Sequence, residues 1–121
     1  MEIGKIGWLD MTVDDAVGIR DFYQAVTGWQ TEAVSMGDYD DYVMKTPENG
    51  EGVAGICHAR GSNADQPPGW LIYIVVEDVE KSAASCKALG GKVLVEPRDL
   101  SGGRFCVIED PSGARAALYQ P

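Results

Sequence analysis

An aspartate in the middle of an otherwise β-favouring run, Asp10 in Ile6-Gly-Trp-Leu-Asp-Met-Thr-Val13, has more chemistry to offer than any other residue of this sequence. Strands disfavour Asp, and a carboxylate on a half-enclosed face is costly unless it is paired or used. Asp10 can hold a cationic or hydroxyl-bearing molecule, serve as a general base, or make a structural ion pair or hydrogen bond to a neighbouring strand. Trp8, Tyr73 and Tyr119 supply aromatic surface for stacking a ligand, or filler for a closed cleft. The single histidine, His58, has the imidazole of a metal ligand or general base, but its place at a strand end beside a polar stretch reads as solvated. Cys57 and His58 point to opposite faces of a strand and cannot share a proton. Cys57, Cys86 and Cys106 are odd in number and far apart, which fits neither a disulfide framework nor a CxxC zinc site, so they read as reduced thiols. Ser101-Gly-Gly-Arg104 lacks the spacing of a phosphate-binding loop and reads as a hairpin turn. Acid concentrated at Asp38–Asp41, Glu48 and Glu51 lacks the EF-hand pattern and reads as a solvated rim.

The elements that must position these residues come in two similar sets. Ile6–Val13 alternates as a strand, Asp14 and Asp15 offer helix caps, and Ile19, Phe22, Tyr23 and Val26 recur as one helical stripe that Gly28 ends. Gly18 weakens this helix by about 1 kcal/mol on propensity alone. Strands are predicted over Thr31–Ser35, Tyr39–Lys45 and Val53–His58, broken by Gly37-Asp38 and the hairpin signal Asn49-Gly50. The order then repeats: strand Trp70–Val76, cap Asp78, stripe Val79, Ala83, Cys86 and Leu89, stop at Gly90-Gly91, and strands over Lys92–Glu96, Arg104–Ile108 and Arg115–Tyr119. Gly28 follows Asp15 by 13 residues and Gly91 follows Asp78 by 13, so the sets overlay without a gap. The sequence therefore predicts one α+β domain over 1–121: a βαβββ module at 1–58, a linker at 59–69 and a second βαβββ module at 70–121.

Composition narrows the function. The 121 residues, 45% hydrophobic and 24% charged, suit one folded domain. A formal charge of -9 repels phosphate backbones and anionic headgroups, so no nucleic-acid partner is expected. The longest apolar run, Trp70–Val76, is far short of the roughly 20 residues of a membrane span, so no membrane partner is expected. No secretory signal opens the sequence, and a cytoplasmic protein is expected. The end at Pro121, with no linker beyond it, is expected of a freestanding unit.

The strand Ile6–Val13 with Asp15, Phe22-Tyr23, Gly28-Trp29, Val76-Glu-Asp78, Ala88-Leu-Gly-Gly91 and Asp110-Pro-Ser-Gly113, in this order, resemble the vicinal oxygen chelate superfamily, which includes glyoxalase I, bleomycin resistance proteins and extradiol dioxygenases. The resemblance covers nearly the whole chain. It implies two curled sheets, each backed by a helix, forming a cleft. Strand parity then places Leu9, Met11 and Val13, Ile72, Ile74 and Val76, and Ala116 and Leu118 on the helices. It turns Trp8, Asp10 and Thr12, Leu71, Tyr73 and Val75, and Arg115, Ala117 and Tyr119 to the cleft. Enzymes of the family generally hold a divalent metal with His and Glu from the first and last strand of each module. Carried over by spacing, those positions here are Trp8, Leu71, Gly55 and Ala117, and none can ligate, so no metal and no cofactor are expected.

The resemblance thus implies metal-independent binding of a small organic, neutral or cationic molecule by Trp8, Asp10, Thr12, Tyr73, Arg115 and Tyr119. Arg115 shares the cleft parity and is able to neutralise Asp10 or hold a carboxylate. The alternatives are a glyoxalase-type lyase or isomerase with an atypical site, favoured over a dioxygenase, and a metal-free acid-base enzyme using Asp10. Small members of the family commonly pair, and exposed sheet edges in a short chain favour the same, so a homodimer is expected.

Overall fold

Asp15 ends the first strand and starts the first helix. In the computed structural model, which describes residues 2–61 and 64–121, its carboxylate accepts the Gly18 backbone N–H at 2.9 Å and caps α1 (Ala16–Thr27), which follows β1 (Ile6–Val13). A Cβ at position 18 would lie 2.2 Å from the capping carboxylate, so the glycine makes room for the cap. Gly28 closes the helix in a left-handed conformation, returning its N–H to the Gln24 carbonyl at 3.1 Å. The same grammar recurs where Asp78 accepts the Lys81 N–H at 3.1 Å and starts α2 (Val79–Ala88) after β5 (Leu71–Val75). The remaining strands are β2 (Gln30–Ser35), β3 (Asp40–Lys45), β4 (Gly52–His58), β6 (Lys92–Leu100), β7 (Gly103–Glu109) and β8 (Arg115–Gln120). Ser62 and Asn63 of the expected linker lie outside the described residues.

The described residues fall into two units, Leu9–Trp70 and Leu71–Pro121, the second taking the N-terminal segment through Trp8. In the Leu9–Trp70 unit the strand order is β2-β3-β4-β1, with β1 parallel to β4 and the other pairs antiparallel. Met11, Ala16, Tyr42, Met44, Ala54 and Ile56 form its core, joined by Leu9, Val13, Ile19 and Tyr23, so the alternating apolar set of β1 meets the helix. The stripe expected on α1 is narrower than its sequence spacing: Phe22 is 55% and Val26 64% exposed, and only Ile19 and Tyr23 turn inward. Tyr23 sets this rotation. Its ring packs against Trp70 at 5.3 Å and Trp29 at 6.0 Å and its hydroxyl accepts the Trp70 Nε1–H at 3.2 Å, while Phe22 is left edge-on against Tyr23 at 5.2 Å.

The second unit repeats the topology in the order β5-β8-β7-β6, with β5 parallel to β8. Each unit is therefore βαβββ with its first and last strands side by side, and the registers correspond: Asp10 lies opposite Gly55 as Tyr73 lies opposite Ala117. Here the sheet has two packed faces. Val79, Ala83, Cys106 and Leu118 join Ile74, Val76, Val93 and Ile108 on the helix side. Leu71, Phe105, Val107 and Ala117 join Tyr73, Val95, Leu100 and Tyr119 on the other. Strand β6 continues to Leu100 instead of ending at Glu96, carrying Pro97 between register shifts on an edge strand where a missing N–H costs no ladder bond. Leu89, expected on the stripe of α2, is its C-cap and is 78% exposed. No helix among the described residues is long and apolar enough to cross a membrane.

Candidate functional site

Parity on β5 sends Tyr73 and Val75 to the face away from α2, and the parallel neighbour β8 places Tyr119 opposite Val75 on that same face. These side chains line a cavity of about 210 Å³ with Gly7, Trp8, Leu100 and Ser101. The N-terminal segment leading into β1 enters this wall because Gly4 N–H bonds the Val75 carbonyl at 2.8 Å and Val75 N–H bonds the Lys5 carbonyl at 2.9 Å.

Two features of the β6–β7 hairpin hold the far wall. Ser101 and Gly102 form its two-residue turn with positive φ at both positions, 49° and 83°, the geometry that matches the twist of paired strands. Serine has no natural preference for that region, and holding it there costs about 1 kcal/mol. Next to the turn, a Cβ on Gly103 would stand 2.3 Å from the Gln120 carbonyl oxygen and 2.6 Å from the Tyr119 hydroxyl, so the bare backbone of residue 103 is what admits the Tyr119 ring. That hydroxyl donates to the Ser101 carbonyl at 3.4 Å, long for an O–H···O bond. No side chain lining the cavity carries a charge. Its walls can stack a flat ring, and Trp8, Tyr73, Ser101 and Tyr119 of its lining each carry a polar group.

Of the residues singled out from sequence, Trp8, Tyr73 and Tyr119 share this cavity. Arg115 starts β8 opposite Glu109 and is not in the lining. Asp10 and Thr12 belong to the Leu9–Trp70 unit, where Thr12 is buried opposite Cys57. The Cys57 thiol is pushed up to about 12 by burial first, then by the charges of Asp10 and Asp41 and a hydrogen bond to Asp41. Asp10 thus joins a polar strip with Cys57 and Asp41 on β1, β3 and β4.

The acidic hairpin and His58 both depart from their sequence reading. Alternation turns Asp41 inward to 8% exposure, where Oδ1 accepts the His58 backbone N–H at 2.8 Å, while Asp38 stays at the surface and pairs with Arg60 at 3.3 Å. His58 is not solvated. Its side chain is 15% exposed, Nδ1 lies 2.7 Å from the Asp40 carbonyl oxygen, and the ring packs against Tyr39 and Tyr42, because pairing of β3 with β4 draws the strand end under the hairpin. Ser101-Gly-Gly-Arg104 is a hairpin turn, and its arginine is held by Glu80 at 2.6 Å and Asp99 at 3.0 Å, which keeps the guanidinium more firmly protonated than usual.

Leu100 and Ser101 were not legible as wall residues because Leu100 lies on the continuation of a strand expected to stop at Glu96, and Ser101 in the turn that follows it. Asp41 had a signal, since Asp41 and Val43 alternate with Tyr42 and Met44 of the core.

Residues 5–118 match the family model of the Glyoxalase/Bleomycin resistance protein/Dioxygenase superfamily. The chain belongs to this superfamily. It is 32% identical over 126 residues to a protein of Mycobacterium bovis named "Putative glyoxylase CFP32", covering 99% of this chain and 45% of that one, so the chain spans about half the length of the curated relatives it matches. Among solved structures, a Streptomyces coelicolor methylmalonyl-CoA epimerase variant in complex with 2-nitronate-propionyl-CoA superposes with a TM-score of 0.57 at 20% identity, covering 98% of this chain and 95% of that one. The Mn(II)-bound glyoxalase from Novosphingobium aromaticivorans gives 0.61 at 22% identity, covering 98% of this chain and 39% of that one. At these identities the likeness establishes the fold.

The metal that the superfamily's enzymes carry does not fit these residues. Gly55 and Ala117 are paired into parallel strands opposite Asp10 and Tyr73 and carry no side-chain donor atom. Leu71 packs with Phe105 and Val107, and Trp8 lines the aromatic cavity. Among the described residues no three His, Cys, Asp or Glu side chains stand together as a metal-binding group.

Proposed function

We propose that this chain binds a small organic molecule, without a metal, in the cavity lined by Trp8, Tyr73 and Tyr119. The observation that carries the reading is the convergence of these three aromatics, from the N-terminal strand, β5 and β8, on one partly enclosed space. The donorless positions Trp8, Gly55, Leu71 and Ala117 support metal independence. The acidic charge of -9 speaks against nucleic acid as a partner, and three free cysteines suit the reducing cytoplasm. An acid-base enzyme using Asp10 draws less support, since Asp10 is placed with Cys57 and Asp41 and is not in the cavity lining.

Elemental analysis after chelator-free purification, paired with thermal melts against a panel of small aromatic compounds, tests the reading. Metal well below one per chain is expected, with a melting temperature that chelator leaves unchanged, that bound compounds raise, and that they no longer raise in Tyr73→Ala. Near one Zn, Fe, Ni or Mn per chain, with ligand shifts abolished by chelator, would overturn it.

A further inference from the structure

We infer that the molecule taken up by this cavity is an uncharged, flat aromatic of about two fused rings carrying one hydrogen-bond acceptor, an inference that rests on the binding reading above. Size comes first. A dry apolar cavity of about 150 Å³ accepts a single benzene ring, and pockets for drug-sized ligands run from roughly 300 Å³ upward. At about 210 Å³ this cavity lies between the two, with room for about two fused rings.

Charge is decided by what the walls lack. Gly7, Trp8, Tyr73, Val75, Leu100, Ser101 and Tyr119 include no acid, no base and no histidine, so an ion entering the cavity finds no counter-charge. Enclosing an ion strips its hydration shell, and no wall residue supplies the ion pair that would offset the loss. Val75 and Leu100 make the rest of the wall aliphatic, which offers a cation nothing in exchange for its water. A neutral ring system loses little on leaving water and gains stacking against Trp8, Tyr73 and Tyr119.

The acceptor follows from Tyr119. Its hydroxyl spends its proton on the Ser101 carbonyl across 3.4 Å, a weak bond that a ligand oxygen at ordinary distance displaces at small cost. A ligand with one oxygen at its edge therefore binds with its ring on the aromatic walls and that oxygen at the Tyr119 hydroxyl.

Titration calorimetry of the whole chain with naphthol, naphthylmethylammonium, naphthoate and naphthalene separates the possibilities, since the four probes share a ring system and differ in charge and acceptor. Naphthol is expected to bind at least about tenfold more tightly than either ion. Tyr119→Phe is expected to weaken naphthol by about threefold to tenfold, the scale of one hydrogen bond, and to leave naphthalene unchanged. Tyr73→Ala, checked for folding by circular dichroism, is expected to weaken both. Tightest binding of the ammonium, lost in Asp10→Asn, or of the carboxylate, lost in Arg115→Gln, would overturn the neutral class; continued sensitivity to Tyr73→Ala would then leave the binding reading intact. Failure of all four probes to bind, or binding indifferent to Tyr73→Ala, would overturn both.

Discussion

Tyr119 lies where it does because residue 103 has no side chain. Gly103→Ala drives a Cβ against the Gln120 backbone oxygen, which cannot swing away as a side chain would, so the cost is about 1 to 3 kcal/mol of overpacking and a displaced Tyr119 ring. Urea denaturation is expected to show that loss, with weaker ligand shifts, and an unchanged midpoint would contradict the close approach. Cys57 makes a second prediction at this scale. Its thiol is pushed up to about 12 by burial and neighbouring carboxylates from an ordinary 9.0, so the folded chain keeps a proton that the unfolded chain releases. Stability from this group is fully present below pH 9 and is lost as pH rises from there toward 12, by about 1 kcal/mol per pH unit. Cys106, pushed up to about 11 by burial, acts in the same direction. Denaturation midpoints between pH 8 and 10.5 check the slope, and Cys57→Ser is expected to flatten it; stability rising over that range would contradict the assignment. Trp8, Tyr73 and Tyr119 were legible from strand alternation once the resemblance supplied a cleft opposite the helices. The role of Asp10 was not, because parity names the face of a side chain and leaves open which neighbouring strand brings its partners.

At the scale of elements, helix caps and stops were readable because each rests on a few adjacent residues: Asp15 with Gly28, and Asp78 with Gly90. The meaning of Gly18 was hidden, since propensity treats it as a defect worth about 1 kcal/mol while the folded chain uses its empty side to seat the Asp15 carboxylate. Gly18→Ala is therefore expected to leave thermal stability nearly unchanged, the gain in propensity offset by a disturbed cap, and Asp15→Ala to cost about 1 kcal/mol. A rise of several degrees in Gly18→Ala would show that the cap contributes little. Phe22 and Val26 misled the reading of α1 because periodicity shows which residues share a face without showing how wide a face the sheet covers. The length of β6 was obscured by Pro97, which ordinarily ends a strand and here sits on an edge among register shifts.

For the whole molecule, the repeated βαβββ order was legible because spacing from cap to stop is conserved between the halves of this one chain, and the paired registers Asp10–Gly55 and Tyr73–Ala117 carry the repeat into the sheet. How the chain assembles is a separate proposal. Edge strands β2 and β6 each expose a row of backbone groups, and a homodimer is the expected solution; sedimentation at micromolar concentration is expected to give twice the 13.0 kDa of the chain, and a species of 13.0 kDa would contradict it. The central claim, metal-free uptake of a small aromatic molecule by the Trp8–Tyr73–Tyr119 cavity, is tested most directly by an amide NMR titration with naphthol in excess chelator. The predicted result is a set of saturating shifts concentrated on Gly7, Trp8, Tyr73, Val75, Leu100, Ser101 and Tyr119. Shifts centred elsewhere, or none until a divalent metal is restored, would contradict it.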